Sequence, residues 1–275
     1  MEIRNFDAYS PLHKSGHTSK GDQLKWKIDD RWYKADYMGY EGLSEVLVSD
    51  LLQKSTCPFP FVEYEAAVIE YNGKIFQGCS SLDFLKADQI LIPLEKLYRR
   101  YTGESLAVKL SDFADVSERI QYLVTQVEEI TKIDNFGAYL TAMLEIDAFF
   151  MNEDRHTNNI AVQYNAADDT YALCPLFDNG LSLLADTNVV FPLERSLEDC
   201  LKAVQVPSNR SDARFLLSPV THSKRCTHLY SEALILSSLL AYRCDLRRFL
   251  WLFLSHDRIF LDKFCPILYT LECRG

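Results

Sequence analysis

Alternating apolar and polar positions near the start of the chain predict β-strands joined by tight turns. The paired runs and their turns are 24–28 and 32–37 around Asp29-Asp30, and 61–71 and 74–79 around Asn72-Gly73. An Asn-Gly pair is a strong hairpin signal because both central residues of a type I′ turn take positive φ. The first part of the chain is therefore predicted to contain two hairpins.

Between these hairpins the apolar positions change to helical spacing. The residues that share one face are Leu43, Val46, Leu47, Leu51 and Leu52. This pattern predicts an amphipathic helix that begins near Glu41 and ends before Pro58. The predicted order is therefore strand, strand, helix, strand, strand.

Beyond about residue 85 the pattern is mostly helical. Two amphipathic runs cover residues 120–130 and 139–150. A small hairpin is predicted from the β-like runs at 160–164 and 171–177. Apolar helical segments follow at 229–242 and 244–255.

These patterns predict an α+β fold with two parts. A β-rich N-lobe is expected over residues 1–84 and a mainly α-helical C-lobe with the small hairpin over residues 85–275. A cleft between two such parts is the preferred place for a ligand.

Composition and charge exclude several classes of protein. Lys and Arg total 29 against 39 Asp and Glu, and this net charge of −10 disfavours direct nucleic-acid binding. The longest apolar run, 233–242, is far shorter than the ~20 residues that cross a bilayer. The first residues lack the pattern of a signal peptide, so we expect a cytoplasmic protein with reduced cysteines.

The eight cysteines form no C-x-x-C pair and read as scattered core positions. His222, Cys226 and His228 are close enough in sequence to supply metal ligands. The favoured interpretation is that these three are unrelated surface or core residues and do not form a metal site.

Polar residues are densest around the predicted hairpin. Asp154 and Asn159 lie five residues apart in the loop before its first strand, and Asp178 ends its second strand. Antiparallel pairing brings the start of one strand beside the end of the other, so Asn159 and Asp178 are predicted neighbours. Carboxylate and amide oxygens suit Mg²⁺, which binds through one or two protein groups plus substrate phosphates.

This spacing is that of kinase catalytic loops. The form Asn-x-Asp-Arg-His-x-x-Asn, residues 152–159, followed by Pro-Leu-Phe-Asp, residues 175–178, resembles the phosphatidylinositol-kinase-like superfamily and, within it, the bacterial HipA-like Ser/Thr protein kinases. The resemblance implies a two-lobed protein-kinase-like fold that binds ATP and Mg²⁺.

The resemblance also implies roles for individual residues. Asp154 would be the catalytic base, Asn159 a Mg²⁺ ligand and Asp178 the principal Mg²⁺ ligand, while His156 and Arg155 would support the loop. The alternative for any one of them is a helix cap or turn residue, because Asp and Asn often serve there. The four polar residues Asp154, His156, Asn159 and Asp178 together fit one mechanism, which favours catalysis. A further carboxylate, Asp147, lies on the apolar face of the preceding helix and is expected to be a buried partner of this loop.

A kinase of this type also needs a lysine for the ATP phosphates. Lys34 is a single cation within an apolar strand, and Glu41 and Glu45 in the next helix are its possible acidic partners. Glu45 is preferred, because Glu41 lies at the helix N-terminus and there complements the dipole. The alternative for Lys34 is a strand-edge lysine in solvent.

The segment before the first predicted hairpin resembles the Gly-x-Gln-x-Lys phosphate-covering loop of HipA-like kinases. Its residues are Gly21, Gln23 and Lys25. A plain loop is the alternative. The segment 78–84 is expected to connect the two lobes.

The predicted function is ATP- and Mg²⁺-dependent phosphate transfer to Ser or Thr of a protein substrate, with autophosphorylation as an additional activity. The alternatives are a nucleotide-binding regulatory or toxin-like module that acts through a protein partner such as an antitoxin, and a lipid or small-molecule kinase. The serines that follow Asp178 are hypothetical autophosphorylation sites or ordinary loop serines: Ser182, Ser196, Ser208, Ser211 and Ser218.

Overall fold

The structure is a computed structural model, and it describes residues 2–12, 23–196, 199, 200 and 203. Several predictions lie outside the described residues. These are Gly21 of the phosphate-covering loop, the cluster His222, Cys226 and His228, the three later serines Ser208, Ser211 and Ser218, and the helices at 229–242 and 244–255. Within the described part the fold is α+β, as predicted.

The first sheet has five strands. They are β1 (Ile3–Asn5), β2 (Lys25–Ile28), β3 (Arg31–Ala35), β4 (Glu65–Tyr71) and β5 (Lys74–Leu82), in the spatial order β1-β4-β5-β3-β2. Both predicted hairpins are confirmed, since β2 pairs with β3 and β4 with β5 in antiparallel register. Their turns take the positive φ that short hairpin turns need, at Asp29 in the first and at Asn72 and Gly73 in the second.

Helix α1 (Glu41–Gln53) packs directly on this sheet. The contact depends on two glycines, because a Cβ placed on Gly42 would collide with the backbone of Gly78 in β5. A Cβ on Gly78 would in turn collide with the carbonyl oxygen of Lys34 in β3. This close approach brings the first turns of α1 against the β3–β5 pair, where Lys34 lies.

The second half of the described chain is mostly helical. Its elements are β6 (Gln89–Pro93), α2 (Leu94–Thr102), α3 (Leu106–Ser111), α4 (Val116–Thr131), α5 (Phe136–Phe150), β7 (Ala161–Asn165) and β8 (Thr170–Leu173). The predicted small hairpin is confirmed as β7–β8, although its second strand ends at Leu173 and not at 177, and β6 joins it in a three-stranded sheet of order β6-β7-β8. A large apolar core formed by α2, α4, α5 and β7 supports this region.

The segment after β8 is bonded to the segment before β4. Phe61 and Leu176 form a parallel bridge, the amide of Val62 donates to the carbonyl of Leu176 at 2.9 Å, and the amide of Leu176 donates to the carbonyl of Pro60 at 2.8 Å. Next to this bridge, the rings of Phe84 and Phe177 lie with their centroids 6.3 Å apart. The chain that carries Asp178 is thereby held against the five-stranded sheet.

Among the described residues, no helix is both long and apolar enough to cross a membrane. The four cysteines that the structure describes, Cys57, Cys79, Cys174 and Cys200, are all free thiols, as expected.

Candidate active site

A buried ion pair organises the loop between α5 and β7. Arg155 donates through Nε to Asp147 Oδ2 at 2.8 Å and through Nη2 to Asp147 Oδ1 at 2.9 Å. Both side chains are at least nine-tenths buried. Burial opposes the charge of Arg155, but Asp147 outweighs that penalty and raises the pKa of the guanidinium. Asp147 is therefore the buried partner of the loop that the sequence predicts.

The remaining donors of Arg155 connect the loop to the end of the hairpin. Nη1 donates to the carbonyls of Asn159 at 3.1 Å and Phe177 at 2.8 Å, and Nη2 donates to Asn179 Oδ1 at 3.1 Å. All five N–H groups of the guanidinium thus have an acceptor. A single nitrogen bonds both Asn159 and the residue before Asp178, so these two parts of the chain are neighbours, as predicted, although both lie beyond the paired residues of β7 and β8.

Within the loop, Asp154, His156 and Asn159 contact one another. Asn159 Nδ2 lies 2.9 Å from the carbonyl oxygen of Asp154 and 3.4 Å from its Oδ2. With Nδ2 donated in this way, the amide offers Oδ1 as an acceptor or metal ligand. His156 Nε2 is 3.9 Å from Asp154 Oδ1, and both side chains are 20% exposed. Asp154 is thus held in place and accessible to a substrate group.

Lys34 lies at the meeting point of three distant segments. Its Nζ contacts Glu45 Oε1 at 2.6 Å and Asp178 Oδ1 at 3.2 Å, and it lies 5.2 Å from the ring centroid of Tyr64. Burial alone would lower the pKa of Lys34, but Asp178 and Glu45 together raise it well above its usual value. The amine is therefore a fixed positive charge beside two carboxylates, unlike a strand-edge lysine in solvent.

The backbone at Asp178 adopts a left-handed conformation with φ 64°. Asp and Asn tolerate this conformation better than most residues. Arg155 bonds the carbonyl before it, and Asn152 Nδ2 lies 3.4 Å from the carbonyl of Asp178 itself. The backbone carbonyls of Phe177 and Asp178 thus both accept hydrogen bonds, and the Asp178 carboxylate contacts Lys34.

Glu41 and Glu45 have different partners. The carboxylate of Glu41 accepts hydrogen bonds from the amides of Tyr37, Met38 and Gly39, so it closes the loop in front of α1. Glu45, one turn later, contacts Lys34. The preference for Glu45 as the partner of Lys34 agrees with this geometry.

The predicted phosphate-covering segment is described only in part. Lys25 pairs with Lys34 in the β2–β3 register, so both residues lie on the same face of the sheet. Gln23 is half-buried and precedes β2. The structure thus places Lys25, but not Gly21, relative to Lys34.

The oxygen groups of the site match the ligands that Mg²⁺ prefers. Asn159 and Asp178 supply one amide and one carboxylate, and Mg²⁺ takes few protein ligands together with water and phosphate oxygens. In the described part of the chain, no group of three or more His, Cys, Asp or Glu side chains is arranged to hold a metal. Asn159 and Asp178 alone would leave most of the coordination of such an ion to water and other oxygen groups.

Three contributors to the site were missed by sequence reasoning. Asn179 bonds Arg155, Ser44 bonds the carbonyl of Asn179 at 2.9 Å, and Asn152 bonds Asp147 Oδ1 at 2.8 Å. Asn152 lies inside the first motif segment and Asn179 directly follows the second, so proximity to the motif was an available signal. Ser44 carries no such signal, because its acceptors are far away in sequence.

Of the two serines after Asp178 that the structure describes, Ser182 is fully buried and Ser196 is exposed. Only Ser196 of this pair is accessible to a phosphate donor in this structure.

Asp36 gives the fold a pH-dependent contribution. Its Oδ1 accepts the amide of Gly42 at 2.6 Å, and burial raises the pKa of its carboxyl from 3.8 to about 6, against the bond from Gly42 and with some help from Glu41. The pKa of Asp36 is higher in the folded chain than in the unfolded chain. Ionisation of Asp36 therefore lowers the free energy of unfolding above about pH 6, and this loss disappears as the pH falls toward about 4.

We therefore expect Asp36→Asn, which keeps the acceptor for Gly42, to raise the melting temperature at about pH 8 and to change it little at about pH 4. Thermal unfolding at both pH values checks this, with the exposed Asp112→Asn as the control. An equal shift at both pH values would contradict it.

Comparison with known proteins gives little further information. No protein-family model matches the chain, and no curated protein matches it. Among solved structures, the crystal structure of the Helicobacter pylori proinflammatory kinase CtkA matches with 14% sequence identity and a TM-score of 0.44, over 86% of this chain and 94% of that chain. At this level the likeness decides nothing about chemistry.

Proposed function

We propose that this chain is an ATP- and Mg²⁺-dependent phosphotransferase with a two-lobed protein-kinase-like fold, acting on Ser or Thr of a protein substrate. Residues 1–84 would form the nucleotide-binding N-lobe and residues 85–275 the catalytic C-lobe. The observation that carries the proposal is the contact of Lys34 with both Glu45 and Asp178, next to the loop of Asp154 and Asn159.

Phosphoryl transfer needs mainly positioning and neutralisation of charge. Glu45 holds the ammonium of Lys34, which would bind the ATP phosphates, and Lys25 lies on the same face of the sheet. Asn159 and Asp178 would hold Mg²⁺, which neutralises the charge of the phosphates when it is bound.

Asp154 is the group that would act on the acceptor. Its carboxylate would accept a hydrogen bond from the substrate hydroxyl, orient the oxygen for attack on the γ-phosphorus and take the proton as the new O–P bond forms, while the bond from the γ-phosphorus to the bridging oxygen breaks and ADP leaves. Asn159 and His156 contact this carboxylate and orient it. The donors of Arg155 go to Asp147, to the side chain of Asn179 and to two backbone carbonyls, so its proposed role is to support the loop.

The proposal is tested by Asp154→Ala. We expect this variant to bind Mg·ATP within about twofold of the native affinity and to lose at least about 10²-fold of phosphate transfer, the usual range for a general base. Calorimetric titration and a transfer assay with labelled ATP separate the two effects. Asn158→Ala, at an exposed position of the same loop, is the matched control and should retain both properties. Equal losses of affinity and transfer in Asp154→Ala would contradict the role given to this residue.

The other predictions about the biological role remain proposals of the same kind. A protein substrate is favoured over a lipid or metabolite, and a regulatory or antitoxin-like protein is the proposed partner. A cytoplasmic location is proposed for the chain. If Mg·ATP binds without any transfer, the nucleotide-binding regulatory module becomes the better description.

A further inference from the structure

Two consecutive residues of α1 hold the backbone of Asn179, the residue after Asp178. Ser44 Oγ donates to the carbonyl of Asn179 at 2.9 Å and lies 3.0 Å from the carbonyl of Ser182. In return, the amide of Asn179 donates to Glu45 Oε2 at 2.8 Å. We call this pair of contacts, Ser44 to Asn179 and Asn179 to Glu45, the α1 clamp.

The bonding of Ser44 differs from that of other serines in this helix region. A helical serine commonly bonds a carbonyl of its own preceding turn, as Ser49 does with Val46 at 3.0 Å, and Ser55, just after the helix, bonds Leu52 in the same way at 2.7 Å. Ser44 is fully buried and directs its hydroxyl out of the helix, to acceptors more than 130 residues away. A buried hydroxyl in this position costs free energy unless those bonds are made.

The clamp fixes the carboxylate of Glu45 from both sides. Oε1 contacts Lys34 and Oε2 accepts the amide of Asn179. The side chain of Asn179 then bonds Arg155, which bonds the carbonyl of Asn159. Helix α1 is thereby connected through one residue to both the Lys34 contact and the loop of Asp154.

Further contacts hold the same two segments together. Tyr40 Oη donates to the carbonyl of Leu183 at 2.6 Å, and the amide of Tyr40 donates to the carbonyl of Ala185 at 3.2 Å. Gly180 lies against Glu41, where an added Cβ would come 3.3 Å from the Glu41 Cβ. The start of α1 and the chain after Asp178 therefore pack as one unit.

We propose that Ser44 is a positioning residue, whose hydroxyl acts through Asn179 to hold Glu45 against Lys34 and in register with Asp178. The expected effect of Ser44 on kcat rests on the proposed phosphotransferase function. The expected effect on the reactivity of Lys34 does not, because it follows from the contacts alone.

The first test therefore measures the chemical reactivity of Lys34 and needs no enzyme activity. The full chain is acetylated with an N-hydroxysuccinimide ester, and the modification of Lys34 is followed by mass spectrometry, with the more exposed Lys109 as internal reference. In Ser44→Ala we expect Lys34 to react about fivefold faster or more, because the loss of a buried hydrogen bond releases Glu45 from it. Ser55→Ala, which loses a serine hydroxyl just beyond the far end of α1, should react like the native chain.

The second test measures phosphate transfer at saturating Mg·ATP. We expect Ser44→Ala to lower kcat by about tenfold or more, as small misplacements of catalytic groups do, while Ser55→Ala keeps the native rate. Ser44→Cys retains a nearly isosteric but weak donor and should fall between the native chain and Ser44→Ala. If the role of Ser44 were purely structural, the variants would have lower melting temperatures but kcat would not fall in the order native, Ser44→Cys, Ser44→Ala. If Ser44→Ala does not fold, both tests are made with Ser44→Cys.

The outcomes separate the two proposals. Faster labelling of Lys34 together with a lower kcat supports both. If Lys34 is labelled faster in Ser44→Ala but the native chain transfers no phosphate, the clamp is supported and the phosphotransferase proposal is overturned. Native labelling of Lys34 in folded Ser44→Ala overturns the clamp, whatever the native chain transfers.

Discussion

Phosphate transfer should fall by at least about 10²-fold when Asp178 is replaced by asparagine, because a metal ion on the transferred phosphoryl group contributes several kcal/mol to the rate. The substitution removes one negative charge and a ligand oxygen. The fold should be kept, since asparagine tolerates the φ of 64° found there and its amide oxygen still accepts from Lys34. Initial rates across a series of Mg²⁺ concentrations give the measurement.

The variant Asp168→Asn is the control for this experiment. Asp168 lies in the exposed turn between β7 and β8, where it contacts only Thr170 among the bonds described. It should show native rates and native Mg²⁺ dependence. Near-native, Mg²⁺-dependent transfer by Asp178→Asn would show that this carboxylate is not the principal metal ligand.

The second large effect is on stability and does not depend on any activity. Asp147→Ala should lower the free energy of unfolding by about 3–5 kcal/mol, because it leaves the buried charge of Arg155 without its carboxylate. The side chains of Asp147 and Arg155 are only 5% and 2% exposed, so the guanidinium would lose its carboxylate in a buried position. Urea unfolding followed by circular dichroism measures the change.

An exposed ion pair supplies the comparison. Lys109 and Asp112 lie 3.2 Å apart with 35% and 60% of their side chains exposed, and Asp112→Ala should cost less than about 1 kcal/mol. If Asp147→Ala costs no more than Asp112→Ala, the ion pair does not organise the loop as described here.

Local signals allowed much of the fold to be predicted. The turn residues Asp29 and Asn72-Gly73 marked the hairpins, and helical spacing after Glu41 marked α1, because both patterns depend on nearby residues only. The pairing of β7 with β8 followed from the same kind of signal, but the second strand ends at Leu173 instead of 177, and Arg155 bonds the carbonyls of Asn159 and Phe177 beyond the strands. Short elements were missed: β1, β6, α2 and α3 have three to nine residues each, too few for a clear period.

The site could be predicted as a set of residues but not as a bonded network. Charge and position indicated Lys34 and Glu45, and the motif indicated Asp154 and Asp178. The clamp through Ser44 was hidden, since it joins a side chain to backbone carbonyls whose proximity depends on the packing of α1 on β5. Long-range backbone acceptors leave no residue pattern in the sequence.

The most direct test of the central claim is transfer of γ-labelled phosphate from Mg·ATP to the purified chain and to a generic mixture of proteins, with and without excess EDTA. The account predicts labelled Ser or Thr in the native reaction, and none with EDTA or in a parallel reaction with Asp154→Ala. Binding of Mg·ATP by the native chain with no label on any protein would contradict it.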